Sequence, residues 1–379
     1  MTVTENVLVQ PISDLKESKE IVQTASIART EEQVVYVKVV RTFALFVIVT
    51  LHVAFPLIYL YNSISYAEWW IANDFYVLGK IGSPLFTMVS GMLILNPTKD
   101  QPIGVFFKKR LVKVLIPFLA WSVIYLLWRI FLRGDLLSAK DILVLFVQGP
   151  VYYHLWFIQM ILGLYLATPI LRVYIRYADR DNLRYFLIVW VIAVSVLPIV
   201  KRFFGFEVGI DVVVTTGFVG FFIMGHYLRE VTLRRHQVVP VLLLAVVVLV
   251  FTQYATHALT VINGGIYDNF FVLNNSLNLI IVGVGLYLFF KSIDYDLLFK
   301  KNPFLERIVF YVSSCSLGIY FVHVLIIEEL AGGRLGFTLS AASFYPLLSI
   351  PLISLLVMAL SVGATLLLKR IPYVRNIVP

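Results

Sequence analysis

Two residues that can do chemistry stand on one apolar segment near the start of the chain. The stretch RTFALFVIVTLH begins with Arg41 and ends with His52, eleven positions later. In a helix, eleven residues turn through about 1100° and rise roughly 16 Å, so both side chains lie on one face. A cation at the end of a membrane helix, with a proton acceptor deeper inside, suits a long anionic substrate. The alternative is that Arg41 anchors the helix at the membrane surface and His52 only packs.

A second histidine is expected at a similar depth on a later apolar segment. His323 in SSCSLGIYFVHVLIIEEL shares a helix face with Ser316, seven residues before it, and is predicted to lie close in height to His52. Glu328 and Glu329 follow one turn further along, about 140° and 240° around the helix. Any contact between these carboxylates and a histidine is therefore expected between helices. Ionisable groups at this depth are costly unless they line a cavity or find partners.

Two further stretches carry candidate binding residues. GPVYYHLWFIQM places His154 and Trp156 beside a pair of tyrosines, where an interfacial aromatic belt or a site that stacks sugar rings is expected. FFKKRLVKVLIP carries four cations that suit a polyphosphate, with arginine making forked contacts and lysine acting as a point charge. The alternative is an ordinary basic loop at the inner membrane surface. The cations are Lys108, Lys109, Arg110 and Lys113.

The composition shows which elements must position these residues. The 379 residues are 60% hydrophobic and 14% charged, with a mean hydropathy of +0.89, which is too little polar surface for a soluble globule. Apolar segments of about 18 to 25 residues recur, each long enough to cross a bilayer as a helix. The sequence therefore predicts an all-α, polytopic membrane bundle of about ten transmembrane helices. The predicted spans are 39–61, 79–96, 111–132, 152–173, 184–200, 211–229, 238–258, 272–291, 311–330 and 346–369.

The distribution of lysine and arginine predicts the orientation. Of 31 such residues, seven fall on the outer side if the N-terminus is inside, so both termini are predicted to be cytoplasmic. These seven are Lys80, Arg129, Arg133, Lys140, Lys201, Arg202 and Arg334. The net charge of +9 is then explained by topology, and no nucleic-acid partner is expected. The single cysteine, Cys315, excludes an internal disulfide and a multi-cysteine metal site, and no metal site is predicted.

Three regions are predicted along the chain. Residues 1–35 lack the basic start and apolar core of a signal peptide and are expected to form a cytosolic, partly disordered tail. Residues 36–370 form the transmembrane domain, and 371–379 form a short cytosolic tail. The sequence also lacks the G-x-x-x-x-G-K-[ST], H-E-x-x-H and G-x-S-x-G motifs, which argues against ATP-driven transport and the corresponding hydrolases.

Five stretches, in order between about residues 36 and 330, resemble the acyltransferase family 3 membrane O-acyltransferases. They are RTFALFVIVTLH, SPLFTMVSGMLI, FFKKRLVKVLIP, YYHLWFIQMILGLYLATPIL and SLGIYFVHVLI. By this resemblance, Arg41 and His52 match the family's arginine, ten residues, histidine motif, and Arg110 and Lys113 match its basic pair. The second basic position is often arginine, and Lys113 does not make the same bidentate contact.

The resemblance implies transfer of an acyl group, commonly acetyl, from cytoplasmic acyl-CoA to a hydroxyl of an extracytoplasmic or lipid-linked cell-surface glycan. His52 would be the general base or a transient acyl acceptor, Arg41 would guide the donor, and the four cations would hold its phosphates. The residues implied to contact the acceptor or orient other groups are His154, Trp156, His323, Glu328 and Glu329.

No permanently bound cofactor is expected, since acyl-CoA is a substrate. The expected partners are the plasma-membrane bilayer, the glycan and other surface-polysaccharide proteins. Some family members carry an extracytoplasmic esterase-like domain after the bundle. None is expected in this sequence, so a two-step relay would be expected to use another protein as second catalyst. Two alternatives remain open, a non-enzymatic glycan exporter or flippase and an accessory subunit of a surface-polysaccharide assembly.

Overall fold

The computed structural model describes residues 12–96, 101–207 and 217–378, with side chains from residue 35 onward except at position 111. This part of the chain is helical and contains no β-strand, which confirms the all-α prediction. The helices are α1 (Ile12–Ile58), α2 (Tyr66–Gly79), α3 (Gly82–Ile94), α4 (Ile103–Arg110), α5 (Ile116–Trp128), α6 (Ala139–Val147), α7 (Trp156–Tyr177), α8 (Arg180–Val191), α9 (Leu197–Phe204), α10 (Val219–Tyr227), α11 (Arg235–Ile262), α12 (Leu277–Lys291), α13 (Tyr295–Lys301), α14 (Pro303–Ser314), α15 (Ser316–Ala331) and α16 (Pro346–Arg370).

Within the described residues, eight helical stretches are long and apolar enough to cross a membrane. Helices α14 and α15 meet the same test together but are bent by 82°, so they add a ninth span if they count as one. The eight are Val35–Ile58, Tyr66–Ile94, Ile103–Arg133, Tyr153–Tyr177, Arg180–Phe204, Arg235–Ile262, Phe270–Lys291 and Pro346–Arg370. The predicted span 211–229 begins outside the described residues, and the count of ten stays a prediction.

The second span begins earlier than predicted. Helix α2 starts after Ser65, whose hydroxyl accepts from the Glu68 N–H while the Glu68 carboxylate accepts from the Ser65 N–H, forming a capping box. The sequence prediction began this span at residue 79 and so left out this helix, which contains the polar residue Asn73. In the fold, Asn73 is buried and its amide donates to the Gln253 carbonyl at 3.4 Å. As a result, Lys80 lies inside the span Tyr66–Ile94 and not at its outer end.

Helix α1 lies in the middle of the bundle, where it contacts α2, α3, α12, α14, α15 and α16. Close helix packing is clearest between α3 and α10. A Cβ atom on Gly91 would lie 1.8 Å from the Phe222 carbonyl oxygen, and one on Gly225 would lie 1.8 Å from the Met88 carbonyl oxygen. These two glycines therefore let the two backbones touch, as small residues do at membrane helix contacts.

The beginning of the first span and the end of the last one lie at the same end of the bundle. Thr42 on α1 donates to the Val309 carbonyl at 3.3 Å, and Lys369 on α16 donates to the Ser314 carbonyl at 3.1 Å, both on α14. We call this the basic end, defined by Arg41, Arg110, Lys113, Lys369 and Arg375. A cytoplasmic location for the basic end stays a prediction.

Candidate active site

Three histidines from distant parts of the chain meet inside the bundle. His52 comes from α1, His323 from α15, and His154 from the short helical turn before α7. The ring centroid of His323 lies 5.0 Å from that of His52 and 5.4 Å from that of His154, and His52 and His154 are 6.3 Å apart. The expectation that His52 and His323 lie at matching depths agrees with this geometry.

A hydrogen-bond chain determines which nitrogens of two of these rings carry protons. His323 Nδ1 lies 3.1 Å from the Ile319 carbonyl oxygen, and a carbonyl only accepts, so this nitrogen carries a proton. In a neutral ring, His323 Nε2 is then an acceptor, and it lies 2.8 Å from His52 Nδ1. His52 Nδ1 is therefore the donor, which leaves the lone pair on His52 Nε2. A neutral His52 of this tautomer is arranged as a base.

The three histidine rings differ in exposure, and this difference limits the role that each can take. His52 retains 9% of its surface, whereas His154 and His323 are fully buried at 0%. Both ring nitrogens of His154 lack a hydrogen-bond partner among the described residues. Its ring is enclosed by those of Tyr125 at 4.9 Å and Tyr320 at 5.6 Å. His52 is thus the histidine of the cluster that a substrate can touch most directly.

A cavity of about 380 Å³ extends from the basic end toward this cluster. Arg41 on α1 lines it together with Arg110 and Lys113, and α15 forms part of its wall through Ser316, Leu317 and Tyr320. Arg41 and His52 therefore both face α15, as the count of helical turns predicts. The other lining residues are Phe86, Ser90, Val114, Phe157, Ile158, Ile161, Tyr165, Ser313 and Ser314.

Tyr320 separates the cavity from the histidines. Its ring lines the cavity and lies 5.6 Å from the ring centroid of His323. Its hydroxyl donates a hydrogen bond to the backbone carbonyl of His154. The side chain thus links the wall of the cavity to two members of the cluster.

The four predicted phosphate-binding cations divide into two pairs. Arg110 lines the cavity, and its guanidinium lies 5.6 Å from the centre of the Tyr165 ring. Lys113 also lines the cavity, from a π-helical segment, Leu111–Leu115, that follows α4. Lys108 and Lys109 are exposed and are not among the residues lining the cavity. Successive residues of a helix point in different directions, so Lys108 and Lys109 do not face the cavity with Arg110, and their part in donor binding stays a prediction.

The two glutamates of α15 form hydrogen bonds away from His323, and their role as acceptor-contacting or orienting residues stays a prediction. Glu328 accepts from the Tyr152 hydroxyl at 2.6 Å. Glu329 accepts from the Trp128 indole at 2.5 Å and pairs with the Arg334 guanidinium at 2.8 Å. Their angular offset along α15 directs both toward α5 and the loops, while Ile319 and His52 orient His323.

Trp156 also lies apart from the histidine rings that it was grouped with. Its ring packs on Phe157 at 5.9 Å and on Phe218 at 5.6 Å. An acceptor-binding role for Trp156 and His154 stays a prediction.

Sequence reasoning missed residues that surround the cluster. Tyr320 precedes His323 by three positions on α15, and this spacing places it on the same face. Lys80 was assigned to the outer side of the membrane, but it lies inside the span Tyr66–Ile94, with its ammonium 5.4 Å from the centre of the Tyr76 ring. The spacing between Tyr320 and His323 could have identified Tyr320 from the sequence. Placing Lys80 correctly required the correct start of α2.

Among the described residues, no group of three or more histidine, cysteine, aspartate or glutamate side chains is arranged to hold a metal ion. Cys315 is buried and has a free thiol.

A family model described as an acyltransferase domain, Acyl_transf_3, matches residues 34–370. The chain belongs to acyltransferase family 3. This confirms the resemblance, which rested on five short motifs, and extends it over nearly the whole chain. No curated protein and no solved structure matches the chain. The acyltransferase 3 domain and the apolar helices together identify an integral membrane acyltransferase.

Proposed function

We propose that this acyltransferase moves an acyl group, with acetyl as the first to test, from cytoplasmic acyl-CoA to a hydroxyl of an extracytoplasmic or lipid-linked glycan at the plasma membrane. One observation carries the proposal. Tyr320 lines the cavity together with Arg41, Arg110 and Lys113, and its ring lies 5.6 Å from that of His323 in the histidine cluster. Cations suit the phosphates of the donor, and a histidine with a free lone pair suits the hydroxyl.

The donor would enter from the basic end. A volume of about 380 Å³ lies at the lower end of the range for small-molecule pockets, too small for a whole coenzyme A but adequate for part of it. The phosphates would stay at the cations, where they remain near water. The uncharged pantetheine arm would run along the apolar wall that Ile158 and Ile161 form. Movement of Tyr320 away from the His154 carbonyl would then let the thioester meet His52.

His52 would act as the general base of the transfer. Its Nε2 takes the proton from the acceptor hydroxyl while the hydroxyl oxygen attacks the thioester carbonyl. The C–S bond then breaks, and the coenzyme A thiolate takes the proton back from His52, giving an ester and free coenzyme A. His323 accepts from His52 Nδ1–H throughout and so stabilises the imidazolium formed at the intermediate stage.

Lys80 would stabilise the negative charge that develops on the carbonyl oxygen. Ionisable residues inside a membrane span are rare and usually functional. Lys80 follows Gly79, which packs against Leu51, the residue before His52, and no ion-pair partner for Lys80 is present among the described residues. A fixed positive charge beside a developing oxyanion is one of the strongest effects available to an acyl-transfer site.

The test compares acyl esters on surface glycans from cells expressing the intact protein, His52→Ala or Arg41→Ala at matched membrane levels. We expect acyl esters on the glycans of cells with the intact protein, and a much lower ester content with either variant. Equal ester content in all three would overturn the proposal and favour an exporter or an accessory subunit. Incubating the purified protein with labelled acyl-CoA alone tests the base role, because a covalent acyl-histidine would retain the label without an acceptor.

A further inference from the structure

The segment after the last helix folds back onto the bundle at the basic end. The chain reverses at Tyr373, whose φ of +69° is uncommon for a residue other than glycine. The indole N–H of Trp121 on α5 donates to the Ile377 carbonyl at 2.9 Å, and Val378 is fully buried. The predicted short tail is therefore held against α5 by a hydrogen bond and by an apolar anchor.

This arrangement creates a groove of about 410 Å³ beside the cavity of the active site. Lys113 comes from the segment after α4, Lys369 from the end of α16, and Arg375 with Asn376 from the returning segment. Val112 and Val378 complete the lining. Lys113 also lines the active-site cavity, so the groove and the cavity meet at this side chain.

The charge of the groove indicates what it binds. Three cations line it, and no carboxylate is present among the described residues that do so. Within the described part of the chain, these cations form no ion pair with a carboxylate; the ammonium of Lys369 is held by the Ser314 carbonyl. Three cations brought together repel one another, and a polyanion offsets that cost. The Asn376 amide adds a neutral donor and acceptor.

We propose that this groove binds the phosphates of the donor's nucleotide, so that Arg375 and Lys369 are donor-binding residues. The inference rests on the proposed function and deepens it. The active-site cavity is too small for the whole donor, and the adjoining groove supplies both the volume and the charge for the phosphorylated end. Lys113, at the junction, would contact the phosphate nearest the pantetheine arm. The same phosphate chemistry is present in anionic lipid headgroups, so the experiment separates the two sources.

The full-length protein is reconstituted in phosphatidylcholine vesicles, and initial rates are measured with acetyl-CoA and with acetyl-pantetheine, which lacks the phosphates and the nucleotide. For Arg375→Gln and Lys369→Gln, we expect the KM for acetyl-CoA to rise about tenfold, the loss of one charge-assisted contact, with kcat unchanged. The KM for acetyl-pantetheine should not change. Lys300→Gln, which removes an exposed cation of α13 outside the groove, is the matched control.

A second variant moves the segment without changing the charge. Trp121→Phe keeps a ring on α5 but removes the N–H that holds Ile377, and it should give the same selective rise in KM. An unchanged KM for acetyl-CoA in Arg375→Gln, or equal rises for both donors, would overturn the inference. The inference would also be overturned if the variants differ from the intact protein in KM only after phosphatidylglycerol is added, since that result assigns the groove to a lipid headgroup.

Equilibrium binding of coenzyme A keeps the two proposals separable. If the intact protein transfers no acyl group, the proposed function fails. The groove is then still tested by comparing coenzyme A affinity between the intact protein and Arg375→Gln. Equal affinities would contradict the inference without reference to turnover.

Discussion

His52 Nδ1 lies 2.8 Å from His323 Nε2, so a residue of the first span shares a hydrogen bond with one 271 positions later. Because His323 Nδ1 is committed to the Ile319 carbonyl, this bond leaves the lone pair of His52 on Nε2. His323 is fully buried and His52 keeps 9% of its surface exposed, which supports the proposal that His323 positions His52 and that His52 meets the substrate.

His323→Leu removes the acceptor for the His52 N–H and should lower kcat by roughly 10- to 100-fold, the usual cost of losing such a supporting contact. His323→Gln keeps an acceptor oxygen on a flexible side chain and should lower kcat less than His323→Leu does. Rates with saturating donor are measured on purified protein in vesicles. If the two residues act as a unit, adding His323→Leu to His52→Ala lowers the rate no further than His52→Ala alone. If adding His323→Leu to His52→Ala lowered the rate as much as His323→Leu does in the intact protein, that result would contradict the assignment.

Arg110→Gln should raise the KM for acyl-CoA about tenfold, because one guanidinium contact with a phosphate is lost from the cavity. Arg110→Lys retains the charge without the forked geometry and should give a KM between those of the intact protein and Arg110→Gln. Lys108→Gln and Lys109→Gln should have smaller effects, since both side chains are exposed and outside the cavity lining. Steady-state kinetics with Lys300→Gln as the control checks this order. An equal rise in KM on replacing each of the four predicted cations would indicate a diffuse basic surface.

Lys80→Met removes a positive charge from within a membrane span while keeping an unbranched apolar side chain. If Lys80 stabilises the oxyanion, kcat should fall by roughly 10²- to 10³-fold with KM nearly unchanged. Lys80→Arg keeps the charge and should retain more activity. The measurement is the separate determination of kcat and KM at matched protein levels. A rise in KM alone would place Lys80 in donor binding.

Gly91→Ala adds a methyl group where a Cβ would lie 1.8 Å from the Phe222 carbonyl oxygen of α10. The helices would have to separate, and we expect a loss of about 1–3 kcal/mol in stability. Gly163→Ala on α7 is the matched control, because no atom lies within 4 Å of a Cβ at that position. Thermal unfolding in detergent compares the two variants. A similar melting temperature for both would contradict the close contact between α3 and α10.

Much of the fold followed from local pattern. Apolar length identified most of the membrane helices, and nine of the ten predicted segments overlap a candidate span or the bent pair α14 and α15. The described part of the tenth, 211–229, contains only one α-helix, the nine-residue α10. The main error was α2, which contains the polar residue Asn73. Its amide nitrogen donates to the Gln253 carbonyl and its amide oxygen accepts from the Tyr267 hydroxyl, both far away in the chain. That error moved Lys80 from the interior to the surface in the prediction.

The candidate site was only partly predictable for the same reason. Helical spacing placed Arg41 and His52 on one face, and depth placed His323 near His52. The grouping of Lys108 and Lys109 with Arg110 failed to separate exposed from cavity-lining cations. The partners of Glu328 and Glu329, on α5 and in the loops, had no local signal.

Sequence by itself determined the class of the protein, its membrane helices, its family and the helix face shared by Arg41 and His52, because apolar length and helical periodicity are local properties. Only the tertiary structure decided the tautomer of His52, the enclosure of His154, the position of Lys80 and the return of residues 371–378 to α5. Each of these depends on which helix packs beside which. Hydrogen bonds and charge contacts between residues hundreds of positions apart arise only when the bundle has closed.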